Sequence, residues 1–206
     1  MVRVRWAALY AFVAAELVGC ASEPPPPAAV DLASRQCATT PDLGSAVSLR
    51  YDRNSSQDIT VTFDQSAPCL VDKAGAKDLY KVFALPKSPD PYLITIEGMS
   101  WGNTVFAARA LLLGGDGVQM RSAERTDFTF RGTSYSTILR SHPGEAYLVV
   151  ASDAGAAGKQ FSQITDSTSV AYGGGFYVHT GSESVATQTF AQTGKVKITI
   201  SPVPIK

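Results

Sequence analysis

The chain has 206 residues with 18 basic and 18 acidic side chains, 45% hydrophobic and 17% charged residues, and two histidines. That balance, with no basic run, gives nucleic-acid binding no electrostatic support. About 170 residues remain after N-terminal processing, enough for one domain with a real core, and a composition rich in Gly, Ser, Thr, Val and aromatics favours strands and turns over long helices.

At the N-terminus Arg3 and Arg5 form a positive region and Trp6 to Ala15 an apolar one. Leu17-Val18-Gly19-Cys20 then reads as a lipobox, with small Gly19 ahead of the cysteine where a processing peptidase needs room. Glu16 is the one residue that breaks the apolar run. The stretch is too short for an ordinary spanning helix. Residues 1–19 are therefore expected to be a lipoprotein signal peptide. Cys20 becomes the lipidated first mature residue, the membrane is a partner through that anchor, and the remainder lies in water beyond it. Ala21 follows in place of Asp, a pattern that resembles outer-membrane lipoproteins facing the periplasm. Removing Arg3, Arg5 and Glu16 leaves 16 basic and 17 acidic residues, a net charge of −1.

Residues 20–30 hold the lipidated cysteine and a proline-rich linker, Glu23-Pro24-Pro25-Pro26-Pro27, which is stiff because each ring restricts φ and supplies no donor. With Cys20 spent on lipid, Cys37 and Cys69 are left in an oxidising compartment. A disulfide between them would close a loop of about 33 residues and stabilise by roughly 3 to 4 kcal/mol. Two separate buried thiols are the alternative.

Residues 31–206 read as one β domain. Val47 to Tyr51 and Ile59 to Phe63 are β-rich, the second alternating Ile59, Val61, Phe63 against Thr60 and Thr62. Leu70 to Lys77 reads as a connection. Asp78 to Leu85 alternates again, and Pro86, Pro89 and Pro91 then interrupt ladder bonding. Tyr92 to Glu97 is a strand with Ile94 and Ile96 on one face, and Gly98 to Asn103 a loop holding Trp101. Thr104 to Leu113 is a strand ending at the Asp116-Gly117 hairpin signal, and Val118 to Arg121 returns. Phe128 to Arg131, Tyr135 to Leu139, Ala146 to Ala151, Val170 to Thr180 and Lys195 to Ile200 complete the strands, with Ser141-His142-Pro143-Gly144 as a turn. Nine or ten short strands without alternating helices point to an all-β fold, an antiparallel β-sandwich that is jelly-roll-like.

Chemistry-bearing patterns are few. His142 sits in a turn and His179 in a strand, neither with a placed partner for proton transfer. No nucleophile elbow occurs. No metal-ligand spacing and no cofactor motif is found. Asp153-Ala154-Gly155-Ala156-Ala157-Gly158-Lys159-Gln160 lacks the first glycine and the final Ser or Thr of a phosphate loop and reads as a flexible loop. Gly173-Gly174-Gly175 reads as a turn or bulge. Trp101, Tyr135, Tyr172 and Tyr177 lie near turns and are the candidate carbohydrate-contact residues if they cluster; otherwise they fill or edge the core.

Tyr80-Lys81-Val82-Phe83-Ala84-Leu85-Pro86, Pro91-Tyr92-Leu93-Ile94-Thr95-Ile96, Val105 to Leu113 and Ala146-Tyr147-Leu148-Val149-Val150, with the lipoprotein-like start, resemble the maltose operon periplasmic protein family. Pro143-Gly144-Glu145-Ala146-Tyr147, after an Asp-Gly hairpin, is similar to the pre-peptidase C-terminal type of jelly-roll domain. The resemblance implies a non-catalytic domain of the cell envelope, associated in the first family with carbohydrate (maltodextrin) uptake, and it carries over no site residue. The expected function is that of an outer-membrane, periplasm-facing lipoprotein acting by binding as an accessory of carbohydrate transport. A structural or assembly lipoprotein contacting other envelope proteins is the alternative, and an enzyme comes third.

Overall fold

The computed structural model describes residues 29–72, 74–131, 134–173 and 176–204, and over 163–186 it describes the backbone. Cys20 and the proline run lie outside these residues. Among the described residues the fold is an all-β sandwich of two sheets with fourteen strands, β1 to β14 in chain order. One sheet orders β1 (Val47–Ser48), β4 (Lys77–Ala84), β11 (Glu145–Ser152), β7 (Ala108–Gly114) and β8 (Gln119–Ala123), with β3 (Cys69–Val71) also on β4. The other orders β12 (Gln160–Gly173), β13 (Phe176–Ala191), β6 (Thr104–Phe106), β5 (Tyr92–Trp101), β10 (Ser134–Arg140) and β9 (Thr129–Arg131). Here β14 (Gly194–Pro202) lies between β5 and β2 (Gln57–Phe63). The late strands β11 and β14 each insert between earlier ones, the crossing pattern of a jelly-roll-like sandwich.

The observed strands differ from the expected nine or ten in three places here, two of which raise the count. Thr104 to Leu113 is two strands: at Ala107 the chain leaves one sheet for the other, its N–H donating to Ala191 O and its carbonyl accepting from Asp153 N. Gly98 to Trp101 is strand rather than loop, so β5 runs through to a tight Gly102-Asn103 turn and pairs with β6 at Ser100 and Trp101. The Ser/Thr-rich stretches beside Val170 to Thr180 pair without a register break from Gln160↔Thr189 to Gly173↔Phe176, forming one long hairpin whose polar sequence carries little apolar alternation. The sheets are also mixed rather than purely antiparallel, because β1 runs parallel to β4 and β13 parallel to β6.

Elsewhere sequence and structure coincide. Ile94 and Ile96 are fully buried, as are Phe63, Phe83, Leu112 and Leu148, and they fill the space between the sheets. The exception is the segment Leu70 to Lys77, read as a connection, which holds the last two residues of β3 and the first of β4 and so adds a further strand to the expected count. On β4, Leu79 and Phe83 face the main core while Tyr80 and Val82 join a second cluster with Leu113 and Val149 on the outer face of their sheet. That face is not solvated. Leu43 and Ala46, from the segment between Cys37 and β1, pack against it.

The lead-in to the domain is clamped. Cys37 and Cys69 form a disulfide, Lys77 Nζ donates to the carbonyls of Leu32, Ala33 and Arg35 at 2.8 Å each, and Gln192 Oε1 accepts from Val30 N at 3.0 Å. The chain therefore enters at the Lys77 end of β4. Seven strand steps, about 23 Å at ~3.3 Å per residue, separate that end from Ala84.

Candidate functional site

At the Ala84 end of β4 lies a groove of about 1190 Å³. One wall is Pro86-Lys87-Ser88-Pro89-Asp90-Pro91, the link from β4 to β5. The other is Arg140-Ser141-His142-Pro143-Gly144, the link from β10 to β11, and Tyr147 on β11 lines it as well. A second depression of about 700 Å³, with Arg50 and Arg53, shares Pro86 to Pro89 from the other side.

Both walls are rigid. Prolines restrict φ along the first, and Asp90 N donates to Ser88 Oγ at 3.1 Å. Tyr92 and Ser141 join the walls reciprocally: Tyr92 N donates to Ser141 Oγ at 2.9 Å and Ser141 N to Tyr92 O at 2.8 Å. The buried Tyr92 hydroxyl donates to Pro86 O at 3.0 Å, and burial, with Glu145 adding a smaller effect, pushes its pKa up to about 12. It is a structural donor at neutral pH, not a proton shuttle.

The Ser141 to Gly144 turn is held from beneath by charge. Glu145, its side chain almost wholly buried, takes Arg121 Nε at 2.5 Å and His142 N at 2.8 Å. Asp90 is paired with Arg53 at 2.5 Å. Lys87, Arg140 and His142 are exposed, and among the described residues their side chains have no hydrogen bond or ion pair. The groove therefore presents Lys87 and Arg140 without a carboxylate partner, while both carboxylates that line it are paired, Asp90 with Arg53 and Glu145 with Arg121.

The sequence-predicted aromatics do not form one platform. Tyr135 is 5% exposed, stacked among Phe128, Phe130 and Phe190, and its hydroxyl donates to Arg125 O. It belongs to the core and cannot stack on a ligand. Trp101 is half-buried at the β5–β6 turn, with Lys195 Nζ 5.2 Å from its ring centre. Tyr172 and Tyr177 are opposite each other near the far end of the β12–β13 hairpin, and their side chains lie outside the described residues. Twelve strand steps, about 40 Å of ladder, separate Tyr177 from Thr189, which pairs with Thr104 beside Trp101.

No model of a known protein family matches the chain, and no curated protein matches it. The groove was partly legible beforehand. The proline run and the Ser-His-Pro-Gly turn are both visible as turns, and His142 is solvent-facing as its turn position suggests. Nothing in the linear order says that two turns about fifty residues apart become facing walls, so Lys87, Arg140 and Tyr147 carry no sequence signal as site residues.

Proposed function

We propose that the protein is a lipid-anchored domain of the outer membrane, facing the periplasm, that acts by binding rather than catalysis, as an accessory of carbohydrate transport. One observation carries this reading. The clamped lead-in stands at the Lys77 end of β4 and the groove at the Ala84 end, so a domain held by Cys20 through a stiff proline linker turns its groove away from the membrane. The lipobox supplies the anchor and the proline rings with Tyr147 supply apolar faces of the kind sugars stack on. The resemblance to the maltose operon periplasmic protein family supplies the substrate class. Mass spectrometry of the protein from the membrane fraction, expected to give a diacyl- or triacyl-Cys20 N-terminus, tests the anchor. Calorimetry of the full chain in detergent with maltodextrins and other glycans, charged ones included, tests the sugar, and no heat with any of them at millimolar ligand would overturn it.

A second reading, a structural lipoprotein that contacts other envelope proteins, is favoured by β12. This strand is the terminal one in its sheet, runs fourteen residues and contains no proline or register break among the described residues, which is the kind of edge that accepts another strand. Crosslinking from β12 positions in native membranes, followed by identification of the captured partner, separates the two readings.

A further inference from the structure

The groove's charge points to a narrower ligand. We propose that it binds an anionic sugar, one carrying a phosphate or a carboxylate, through Lys87 and Arg140. The inference rests on the binding reading above and names the ligand class of the same groove.

Charge is the first argument. Of the five acidic or basic side chains along the two facing turns and their base, Asp90 is held by Arg53 and Glu145 by Arg121. Lys87, Arg140 and His142 are left without a partner among the described residues. A neutral saccharide offers Lys87 and Arg140 hydroxyl acceptors but no opposite charge, whereas a phosphate or carboxylate forms charge-assisted hydrogen bonds, bidentate in the case of arginine. The backbone beneath Arg140 is itself fixed, because its carbonyl accepts from Arg121 Nη2 at 2.5 Å.

Preorganisation is the second. Lys87 stands between Pro86 and Pro89, and Arg140 stands beside Ser141, whose reciprocal hydrogen bonds with Tyr92 lock the two walls together. The cation-bearing backbone need not reorganise on binding, which lowers the ordering cost. Half-buried Tyr147 lines the same groove and offers a ring to a sugar face. The volume, about 1190 Å³, exceeds the roughly 300–1,000 Å³ of ordinary small-molecule sites and leaves room for more than one sugar ring.

Calorimetry of the full chain in detergent with glucose 1-phosphate, trigalacturonate and neutral maltotriose tests the proposal, with circular dichroism as a check on folding. Both Lys87→Gln and Arg140→Gln should fold normally, since neither side chain has a partner to lose. At least one anionic sugar is expected to bind, more weakly as salt rises, and each substitution should weaken it about tenfold or more. The phosphate and carboxylate arms tell which group is recognised. Anionic sugars that give no heat, or that bind both variants as well as the parent, would overturn the inference. Maltotriose binding alone would overturn it while leaving the carbohydrate-binding reading intact. An unlipidated Cys20 with anionic binding preserved would do the reverse.

Discussion

Arg121 on β8 holds both ends of the turn that forms one wall of the groove. Its Nε and Nη2 reach the Glu145 carboxylate at 2.5 and 3.1 Å, and Nη2 also donates to Arg140 O. Glu145 in turn accepts from His142 N. One guanidinium and one carboxylate thus set the backbone positions of Arg140 and His142 without touching the groove's open side.

Removing one member of that pair strands the other. Arg121→Ala leaves a carboxylate whose side chain is 1% exposed without its cation, and the expected loss is about 3 kcal/mol or more of unfolding free energy. Glu145→Gln, which keeps the shape and an acceptor, is expected to cost less. Urea unfolding of the two variants checks the order.

Asp78 sets a pH dependence of the opposite sign to most carboxylates. Burial raises its pKa above the ordinary 3.8, against the opposing effects of the Ala154 N–H, which donates to it at 2.8 Å, and of Arg109. A raised native pKa means that the folded state takes up a proton before the unfolded chain does. This group's contribution is therefore fully present below about pH 3.8 and is lost as pH rises through the raised value. Asp78→Asn is expected to abolish that part of the profile, seen as a flatter stability curve on the acid side in the variant than in the parent.

The lead-in clamp predicts a separable effect. Replacing both Cys37 and Cys69 by serine is expected to cost about 3 to 4 kcal/mol, because the cross-link restricts the unfolded chain. Lys77→Met keeps the disulfide but leaves the Leu32, Ala33 and Arg35 carbonyls without their shared donor. Tryptic cleavage after Arg35 should then accelerate, and acceleration no greater than in a surface-lysine control would argue against the clamp.

Gly98 is a site where only glycine fits. A Cβ there would stand 2.5 Å from Phe106 O, a backbone atom that cannot swing aside. Gly98→Ala is expected to destabilise by about 2 kcal/mol or more through strain, measured by thermal unfolding against Gly115→Ala, where a Cβ meets nothing within 4 Å.

Tyr135 separates core from contact. Tyr135→Phe removes a hydroxyl that donates to Arg125 O and is expected to cost about 1 kcal/mol. Sugar binding should be unchanged, since the ring is enclosed by Phe128, Phe130 and Phe190. A calorimetric affinity that changed with this variant while its stability did not would return Tyr135 to the ligand site.

Period-2 alternation determined much of this protein directly, because strands half-buried on a shared core leave an apolar residue at every second position. Ile59 to Phe63 and Ile94 with Ile96 could be read that way, the Asp116-Gly117 hairpin was legible from its turn residues, and the all-β class from many short strands without alternating helices. The disulfide expected between Cys37 and Cys69 is likewise present in the fold. Strand order, the change of sheet at Ala107, the parallel pairs β1–β4 and β13–β6, and the burial of β4 on both faces depend on neighbours distant in sequence. Local pattern does not encode those neighbours. The groove is of the same kind. Lys87 and Arg140 are ordinary surface cations in the linear chain, and they become a site because β4, β5, β10 and β11 end together and the Asp90 and Glu145 charges are taken by Arg53 and Arg121. Tertiary structure decides which charges are compensated, since Coulomb pairing depends on distance in space rather than on spacing in sequence.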